Sequence, residues 1–222
     1  MSGCDPIWER IFSSETWGKY PPEHVIRFVA RHFYRVPERS QTRLLDLGSG
    51  PGASTWYMAR EGFQVSAIDG SPSAVEHLLT RLREEGLSVD AAVGDFARLP
   101  WPDGCFDAVI DNCSVCANRE DHARAVFAEV LRVLAPGGTF FSTWFSDRTW
   151  GYGLGPRVER SGFSHVTEGP LKDRGFVRFV GRSELDEMFA AFGSYTVERS
   201  SYTLAAGQLV EHWHVTATKA SS

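Results

Sequence analysis

The stretch LLDLGSGPGAST ends an apolar run with one acid, Asp46, and continues into a short loop. Glycines occupy alternate positions of this loop: Gly48, Gly50 and Gly52, with Ser49 between the first two. Glycine lets the backbone turn tightly and lets a ligand approach the main chain. A helix that begins directly after the glycines would present free N–H groups and the positive end of its dipole. The loop is therefore predicted to bind an anionic group, either a pyrophosphate or a carboxylate.

A second acid, Asp69, follows Gly48 by about 20 residues, the separation expected for an acid that binds a ribose. A carboxylate there would accept hydrogen bonds from both ribose hydroxyls and would repel the 2′-phosphate of NADP. The spacing of Gly48, Gly50 and Ala53 also satisfies the dinucleotide fingerprint. The loop and the acid leave NAD and S-adenosylmethionine as alternatives, because both molecules carry adenosine.

Apolar runs and helical periodicities alternate along the first two thirds of the chain. Five short apolar segments are predicted to be strands, at residues 43–48, 63–69, 89–95, 106–112 and 139–145. Helical spacing of apolar residues predicts helices at 21–34, 52–60, 72–85 and 121–134. Ser71 or Ser73 is expected to cap the third of these helices. Strands separated by helices are typical of a parallel α/β sheet.

The pattern breaks at residues 146–181, which are rich in glycine, arginine and aromatic residues and have no clean period. Long irregular segments in compact domains are usually functional or mobile. A helix capped at its start is predicted over residues 183–192. Two alternating stretches around Ala205 to Gly207 indicate an antiparallel C-terminal hairpin.

Composition limits the classes of protein to which the chain belongs. It has 222 residues, 42% hydrophobic and 23% charged, with a net charge of −5. These values are typical of a soluble globular domain, and the acidity argues against non-specific nucleic-acid binding. No apolar run approaches the roughly 20 residues of a membrane helix, and the first residues do not resemble a secretion signal. We therefore expect a cytoplasmic monomer or homodimer with no nucleic-acid partner and no membrane span.

Four cysteines are present: Cys4, Cys105, Cys113 and Cys116. The last two form a C-x-x-C pair, but a structural zinc site would need a second ligand pair. A redox pair of the thioredoxin type would open a helix, whereas this pair follows an apolar strand. We expect reduced thiols and no metal site.

Further motifs separate the two cofactors. Gly94-Asp95 stands before a turn and the fourth strand, and Pro136-Gly137-Gly138 closes the helix before the fifth strand. Together with Asp46 and the C-terminal hairpin, these motifs resemble class I S-adenosylmethionine-dependent methyltransferases, particularly the group that includes quinone-biosynthesis enzymes. The resemblance is close over residues 42–145 and loose over the hairpin. A stretch WGYGLG…VE resembles methyltransferases associated with bacterial surface-carbohydrate assembly.

The resemblance implies a role for each matching residue. The loop from Asp46 to Gly52 would hold the methionyl part of S-adenosyl-L-methionine, and Asp69 would bind its ribose. Other positions are implied around the cofactor: Gly70 and Ser71 beside the adenosine, Asp95 and Phe96 at the adenine, and Asp111, Asn112 and Cys113 near the sulfonium. Trp17 and Tyr20 would fold over the cofactor, or else serve as ordinary core aromatics.

The resemblance also implies a fold. It predicts a Rossmann-like α/β domain with a seven-stranded, mostly parallel sheet, helices on both faces, and one antiparallel strand from the C-terminal hairpin. Residues 1–222 would form a single methyltransferase domain. Within it, residues 1–40 would be an N-terminal helical lid and residues 146–181 an insertion that caps the substrate.

The methyl acceptor and the base are less defined. A hydroxyl acceptor would need a base, and the candidates are Asp111, His122 and His165, followed by Asp147, His212 and His214. His212 and His214 should face one side of the last strand, where packing or solvent exposure is the default expectation. Many relatives carry a histidine pair after the fourth strand, but this chain has SVCANRED there.

Two acceptor classes remain open for a small-molecule methyltransferase that acts on an O, N or C centre, and an amine or an activated carbon would need only orientation. Aromatic residues of the 146–181 segment could stack on a ring, and its arginines could hold a phosphate or carboxylate: Arg148, Arg157, Arg160, Arg174 and Arg178. This composition favours a sugar or a phosphorylated, anionic metabolite. The alternatives are a quinone-like or phenolic natural product, or a non-catalytic protein that binds the cofactor. An NAD-dependent oxidoreductase fits less well, because no Tyr-x-x-x-Lys motif is present.

Overall fold

A parallel sheet forms the first part of the computed structural model, which describes residues 5–221. Its strands are β1 (Arg43–Leu47), β2 (Gln64–Asp69), β3 (Asp90–Val93), β4 (Phe106–Asn112) and β5 (Leu134–Ser146). They lie in the order β3-β2-β1-β4-β5, and every neighbouring pair is parallel. The predicted parallel α/β sheet is therefore confirmed.

The C-terminal hairpin completes the sheet. Its strands are β8 (Ser194–Thr203) and β9 (Leu209–Thr218), numbered after two strands described below. β9 pairs antiparallel with β5 on one edge and with β8 on the other. β9 is thus the one antiparallel strand inside the sheet, as the resemblance predicts, and β8 forms the outer edge.

Helices cover both faces of the sheet. They are α1 (Pro6–Ser14), α2 (Glu23–Phe33), α3 (Ala53–Arg60), α4 (Pro72–Glu84), α5 (Glu120–Val133) and α6 (Arg182–Phe189). Neighbouring residues of β5 point to opposite faces: Phe140 packs with Phe127 of α5, and Phe141 stacks on Phe28 of α2. Because both faces are covered, ligands must enter at an edge, and the carboxyl ends of the strands meet at one such edge.

The 146–181 segment corrects the predicted strand count. Within the described residues the sheet has nine strands instead of seven, because this segment adds β6 (Gly162–Ser164) and β7 (Phe176–Val180). β7 pairs with the last two residues of β5, beyond the point where β4 ends. All five residues of β7 are buried. Its sequence, FVRFV, was not recognised as a strand because Arg178 interrupts a short apolar run.

The helix predicted at 183–192 also differs in detail. It begins one residue earlier and ends at Phe189, and its N-cap is Gly181, so no side chain caps it. In contrast, Ser71 does cap α4, since its hydroxyl accepts a hydrogen bond from the Ala74 N–H at 3.1 Å.

Three cysteines are described, Cys105, Cys113 and Cys116, and all are free thiols. Cys4 lies outside the described residues. Between residues 5 and 221, no helix combines the length and the apolar character that a membrane crossing requires.

Candidate active site

A cavity of about 630 Å³ opens where the strands of the sheet end. Eleven of the residues predicted to form the site line it: Trp17, Tyr20, Asp46, Gly48, Ser49, Gly50, Asp69, Asp95, Phe96, Asn112 and His122. Five others do not: Gly52, Gly70, Ser71, Asp111 and His165. We call the part around Asp46, Gly48–Gly50, Asp69 and Asp95 the glycine-loop side. The part around His24, Asn112, Phe145 and His212 is the histidine side.

The loop after β1 has the backbone conformation that its glycines predict. Gly48 and Gly52 have φ angles of +75° and +87°, in the left-handed region. A Cβ atom on Gly48 would lie 2.2 Å from the Cβ of Ser114, so the loop can approach the end of β4 only with glycine there. Gly52 does not line the cavity. A Cβ on it would lie 2.1 Å from the Leu78 Cδ1 atom, so this glycine lets α3 pack against α4.

Asp69 holds the loop in place at the end of β2. One carboxylate oxygen accepts a hydrogen bond from the Gly50 N–H at 2.8 Å, and the other accepts one from the Ser71 N–H at 2.9 Å. The side chain is 6% exposed, and burial raises its pKa while these N–H groups oppose the rise. A carboxylate has about four lone-pair positions, so Asp69 keeps capacity for a ligand hydroxyl.

Asp46 is buried beneath the loop at the end of β1. Its carboxylate accepts a hydrogen bond from the Thr55 hydroxyl at 2.5 Å. Burial raises the pKa of Asp46 to about 7, against the opposing effect of the hydrogen bonds from Thr55. A cationic ligand group beside this carboxylate would lower the pKa again and would be attracted in return.

Asp111, a predicted base, lies at the end of β4 outside the cavity lining. Its side chain is fully buried and does not reach the cavity. One oxygen accepts hydrogen bonds from the Ser114 and Val115 N–H groups, and the other accepts one from the Ser142 hydroxyl at 2.6 Å. Asp111 therefore shapes the turn after β4.

The other two predicted bases, His122 and His165, lie in different places. The His122 Nε2 atom lies 3.0 Å from the Asp95 carboxylate, so these two side chains pair with each other on the glycine-loop side. His165 is exposed, has a φ of +50°, and lines a separate shallow depression beside Arg119. Asp147 is exposed and does not line the cavity.

The N-terminal segment lies over the glycine loop. The ring of Phe12 from α1 approaches Gly50, and Trp8 and Trp17 pack against Phe12. Arg174 of the 146–181 segment lies over the Trp17 ring and forms a 2.9 Å ion pair with Glu15. The two segments thus meet above the cavity.

α1 is also joined to the start of α4. Glu9 accepts hydrogen bonds from Ser71 and from the Ser73 hydroxyl, the latter at 2.6 Å. The Ser71 hydroxyl thus donates a hydrogen bond to Glu9 and accepts one from Ala74, and Ser71 does not line the cavity.

Histidines from two elements meet on the histidine side. His24 of α2 contacts the Asn112 side chain through Nε2 and Oδ1 at 2.8 Å, and its ring lies 4.4 Å from that of His214. His214 lies beneath, with its nitrogens 3.3 Å from the Thr143 hydroxyl and 2.7 Å from the Ser200 hydroxyl. The rings of His212 and His214 stack 6.3 Å apart on one side of β9, as predicted.

Burial keeps these histidines neutral near pH 7. It lowers the pKa of His212 to about 4 and that of His214 to about 3, with a further contribution from neighbouring His24. Burial also lowers the pKa of His24, although its contact with Asn112 opposes the change. The histidine side is therefore a neutral, partly aromatic wall.

Comparison with known proteins supports the resemblance indicated by the motifs. The family model for a methyltransferase domain matches residues 44–138. The 2-methyl-6-phytyl-1,4-hydroquinone methyltransferase of Synechocystis sp. is 41% identical, over 44% of this chain and 30% of that protein. The demethylmenaquinone methyltransferase of Beutenbergia cavernae is 37% identical, over 50% of this chain and 44% of that protein. The chain thus spans less than half the length of either relative.

A solved structure shares the whole fold. The structure of an S-adenosylmethionine-dependent methyltransferase from Methanosarcina mazei matches with a TM-score of 0.70 at 20% identity, covering 86% of this chain and 97% of that one. Residues 44–138 thus match a methyltransferase domain, and the chain is similar to S-adenosylmethionine-dependent methyltransferases, as the motifs indicate.

The lining of the cavity fits the cofactor of these methyltransferases. S-adenosylmethionine carries an amino acid, a ribose and an adenine, and the glycine-loop side offers buried carboxylates, a glycine-lined main chain and aromatic rings. Of the described residues, no group of three or more histidine, cysteine or acidic side chains is arranged to hold a metal ion.

Two histidines of the cavity are not among the site residues that the sequence favours. His24 stands near the start of a predicted helix with no motif around it, and His212 is predicted only as a less favoured base. The alternation of His212 and His214, combined with the predicted position of the last strand beside the fifth, was the available signal that both lie near Phe145.

Proposed function

We propose that this chain transfers a methyl group from S-adenosylmethionine to a hydroxyl of a neutral, ring-containing small molecule of the hydroquinone or phenol type. The observation that carries the proposal is the histidine side itself. Its wall combines Phe145, Leu171 and Phe176 with neutral histidines and the Asn112 amide. Apolar surface with a few polar groups suits a ring that bears hydroxyls.

The cofactor is proposed to occupy the glycine-loop side. Asp46 and the amides of Gly48–Gly50 would bind its amino-acid part, and Asp69 its ribose hydroxyls. Asp95 and Phe96 would contact the adenine. Asn112 and Cys113 would lie next to the sulfonium, between the two sides. Gly52, Gly70 and Ser71 would act indirectly, by supporting the loop and α4.

Two segments are proposed to enclose these ligands within one domain. Trp17 and Tyr20 belong to the 1–40 segment, and both line the cavity with exposed fractions of 40% and 76%. Leu171, Arg174 and Phe176 enter from the 146–181 segment. Contact between Arg174 and Trp17 supports a role for both segments in excluding water.

The positions of the arginines argue against an anionic acceptor. Of the five arginines in the 146–181 segment, only Arg174 lines the cavity, and Glu15 pairs with it. Each of the others is directed to a partner elsewhere: Arg148 to Glu211, Arg157 over Phe163, Arg160 to Glu187 and Arg178 to Glu184. A phosphorylated sugar would need an unpaired cation here, so the phenolic alternative is favoured over the anionic one.

Two relatives support a ring-containing acceptor. They are named as hydroquinone and demethylmenaquinone methyltransferases, and the methyltransferase family model matches residues 44–138, which include the loop and the end of β4. When bound, S-adenosylmethionine supplies an electrophilic methyl group. The residues of this chain would align the acceptor and exclude water, and alignment is worth on the order of 7–11 kcal/mol in favourable cases.

Two measurements test the proposal. Calorimetric titration should detect binding of S-adenosylhomocysteine and no binding of NAD. Transfer of radiolabelled methyl from S-adenosylmethionine should then be detected with catechol or methylhydroquinone and not with glucose 1-phosphate. Methylation of the sugar phosphate alone would overturn the acceptor class, and a protein that binds the homocysteine product but methylates neither group would contradict the phenolic assignment.

A further inference from the structure

His212 differs from the other two histidines in its hydrogen bonding. His24 uses Nε2 to contact Asn112, and His214 uses both ring nitrogens to contact Thr143 and Ser200. Neither ring nitrogen of His212 has a hydrogen-bond partner within residues 5–221, although the ring lines the cavity. The ring is half-buried and lies 4.6 Å from that of Phe145 and 6.5 Å from that of His24.

The position of His212 is fixed by the sheet. It pairs with Phe145 of β5 on one edge and with Ser200 of β8 on the other. Its neighbour Glu211 points to the opposite face of β9, where it accepts a hydrogen bond from Ser146 at 2.8 Å. A central strand with partners on both edges holds a side chain more precisely than a loop does.

We propose that His212 is the catalytic base that accepts the proton of the acceptor hydroxyl. The inference rests on the proposed function and adds a residue to it. The acceptor O–H bond breaks, and its proton forms a bond to a ring nitrogen of His212. The oxygen electron pair forms the new O–C bond to the methyl group as the C–S bond of the donor breaks. His212 then returns the proton to solvent, which its half-buried ring still contacts.

The titratable groups around His212 leave its ring free to accept a proton from the acceptor. The titratable groups that face it are His24 on α2 and His214 on β9, and both are neutral near pH 7. Tyr202 of β8 and the paired Arg174 line the same cavity farther along its wall. No described carboxylate pairs with His212, so the proton would not be trapped there after transfer.

The first test compares two acceptors in the His212→Gln variant. Catechol holds its proton tightly, whereas 4-nitrocatechol ionises far more readily and needs little help from a base. If His212 is the base, turnover of catechol should fall roughly 100-fold or more, while turnover of 4-nitrocatechol should fall much less. His165→Asn is the matched control, because His165 lies outside the cavity, and both acceptors should react at the normal rate.

A second readout does not depend on turnover. The visible absorbance of 4-nitrocatechol reports its ionisation when it is bound to the protein with S-adenosylhomocysteine. In the unaltered protein, ionisation should occur at a pH about one unit lower than in His212→Gln, which is a tenfold change in the equilibrium. Thermal melting and binding of S-adenosylhomocysteine establish that the variant is folded, and His212→Asn replaces it if it is not.

Each outcome of these two measurements supports or overturns the assignment of His212 as the base. Equal losses on both acceptors, or an unchanged ionisation midpoint, would overturn the base assignment and leave the phenolic acceptor standing. If the unaltered protein binds the homocysteine product but methylates neither catechol, the proposed function fails and the inference fails with it. Selective loss on catechol together with the shifted midpoint supports both.

Discussion

Hydrogen bonds between side chains and main-chain N–H groups fix the loop on the glycine-loop side of the cavity, whereas buried side-chain pairs hold the histidine side and the insertion behind it. On the first side, amide N–H groups of Gly50 and Ser71 bind the carboxylate of Asp69. On the second, Arg178 pairs with Glu184, Ser146 with Glu211, and His214 with Ser200. Most partners on the second side come from residues after 145.

The difference separates the proposed donor site from the proposed acceptor site. The glycine loop depends on side chains that bind its main chain, since Asp69 accepts a hydrogen bond from the Gly50 N–H and the Ser114 hydroxyl donates one to the Gly48 carbonyl. A wall held by paired side chains can be exchanged as a unit with the insertion and hairpin that supply them. One scaffold can therefore keep a methyl donor while its acceptor changes, as loops on a fixed framework allow.

The strongest test of the comparison removes one member of a buried pair. Arg178 is 1% exposed and is bound by Glu184 and Ser161. Arg178→Met should lower the free energy of unfolding by about 3–5 kcal/mol, because Glu184 would remain buried without its cation. Urea unfolding measures this loss.

The matched control is Arg160→Met in the same segment. Arg160 and Glu187 pair at 2.7 Å with more than half of each side chain exposed, and such pairs contribute little. No measurable change is expected. Similar losses in both variants would mean that burial of the pair is not what stabilises the histidine side.

The corresponding test on the glycine-loop side adds a single carbon. Gly52→Ala should lower the free energy of unfolding by about 2–4 kcal/mol, from left-handed strain together with a clash against Leu78. Gly62→Ala is the control, since its φ of +88° matches the +87° of Gly52 while nothing lies within 4 Å of the added carbon. The control should lose only about 1–2 kcal/mol. If both variants lose the same free energy of unfolding, the close packing of α3 against α4 does not contribute to the effect at Gly52.

The difference between the glycine-loop side and the histidine side also explains which features can be predicted from the sequence. The glycine loop, Asp69 and the alternating strands are encoded in contiguous residues, because turn geometry and apolar periodicity are local properties. Their predicted positions agree with the observed ones within a few residues, and the antiparallel place of β9 followed from the family resemblance.

The histidine side depends on pairings that are distant in sequence. His24 and Asn112 are 88 residues apart, and Thr143 and His214 are 71 apart. β7 is not predicted from the sequence, because an arginine in a short apolar run indicates a solvent-exposed position. In the structure, Arg178 is buried and pairs with Glu184. The position of Asp111 at a strand end predicts a base, but it does not reveal the hydrogen bonds from Ser114, Val115 and Ser142 to its oxygens.

Asp46 offers a smaller test, in which pH separates stability from binding. Burial raises the pKa of Asp46 to about 7 in the folded chain, against about 3.9 when unfolded. Its protonated form therefore supports the fold below about pH 4, and this stability is lost as the pH rises to about 7. Asp46→Asn should raise the free energy of unfolding of the cofactor-free protein at pH 8 by about 2–3 kcal/mol, and by less toward pH 4.

Urea unfolding at pH 5 and pH 8 measures this difference, and titration with S-adenosylhomocysteine should show weaker binding by the same variant. If Asp46→Asn raises the free energy of unfolding by the same amount at both pH values, titration of Asp46 is not the cause of the increase. A gain in stability with unchanged binding would mean that the glycine-loop side does not use this carboxylate for its ligand.

The smallest expected effect concerns Asp69 and ligand binding alone. Asp69→Asn should weaken binding of S-adenosylhomocysteine by about 1–2 kcal/mol, roughly 5- to 30-fold in Kd, because a charge-assisted contact to the ribose becomes a neutral one. The amide would also place an N–H₂ group against the N–H of Gly50 or Ser71. Calorimetric titration measures the change.

Asp107→Asn provides the control for this last comparison. Asp107 also accepts a main-chain hydrogen bond, from Arg43 at 2.8 Å, but it stands near the start of β4, at the opposite edge of the sheet from the cavity. Its substitution should leave the affinity unchanged. If both variants bind S-adenosylhomocysteine as tightly as the unaltered protein does, the Asp69 carboxylate serves only to fix the loop. The main chain of the glycine-loop side would then bind the donor without that carboxylate.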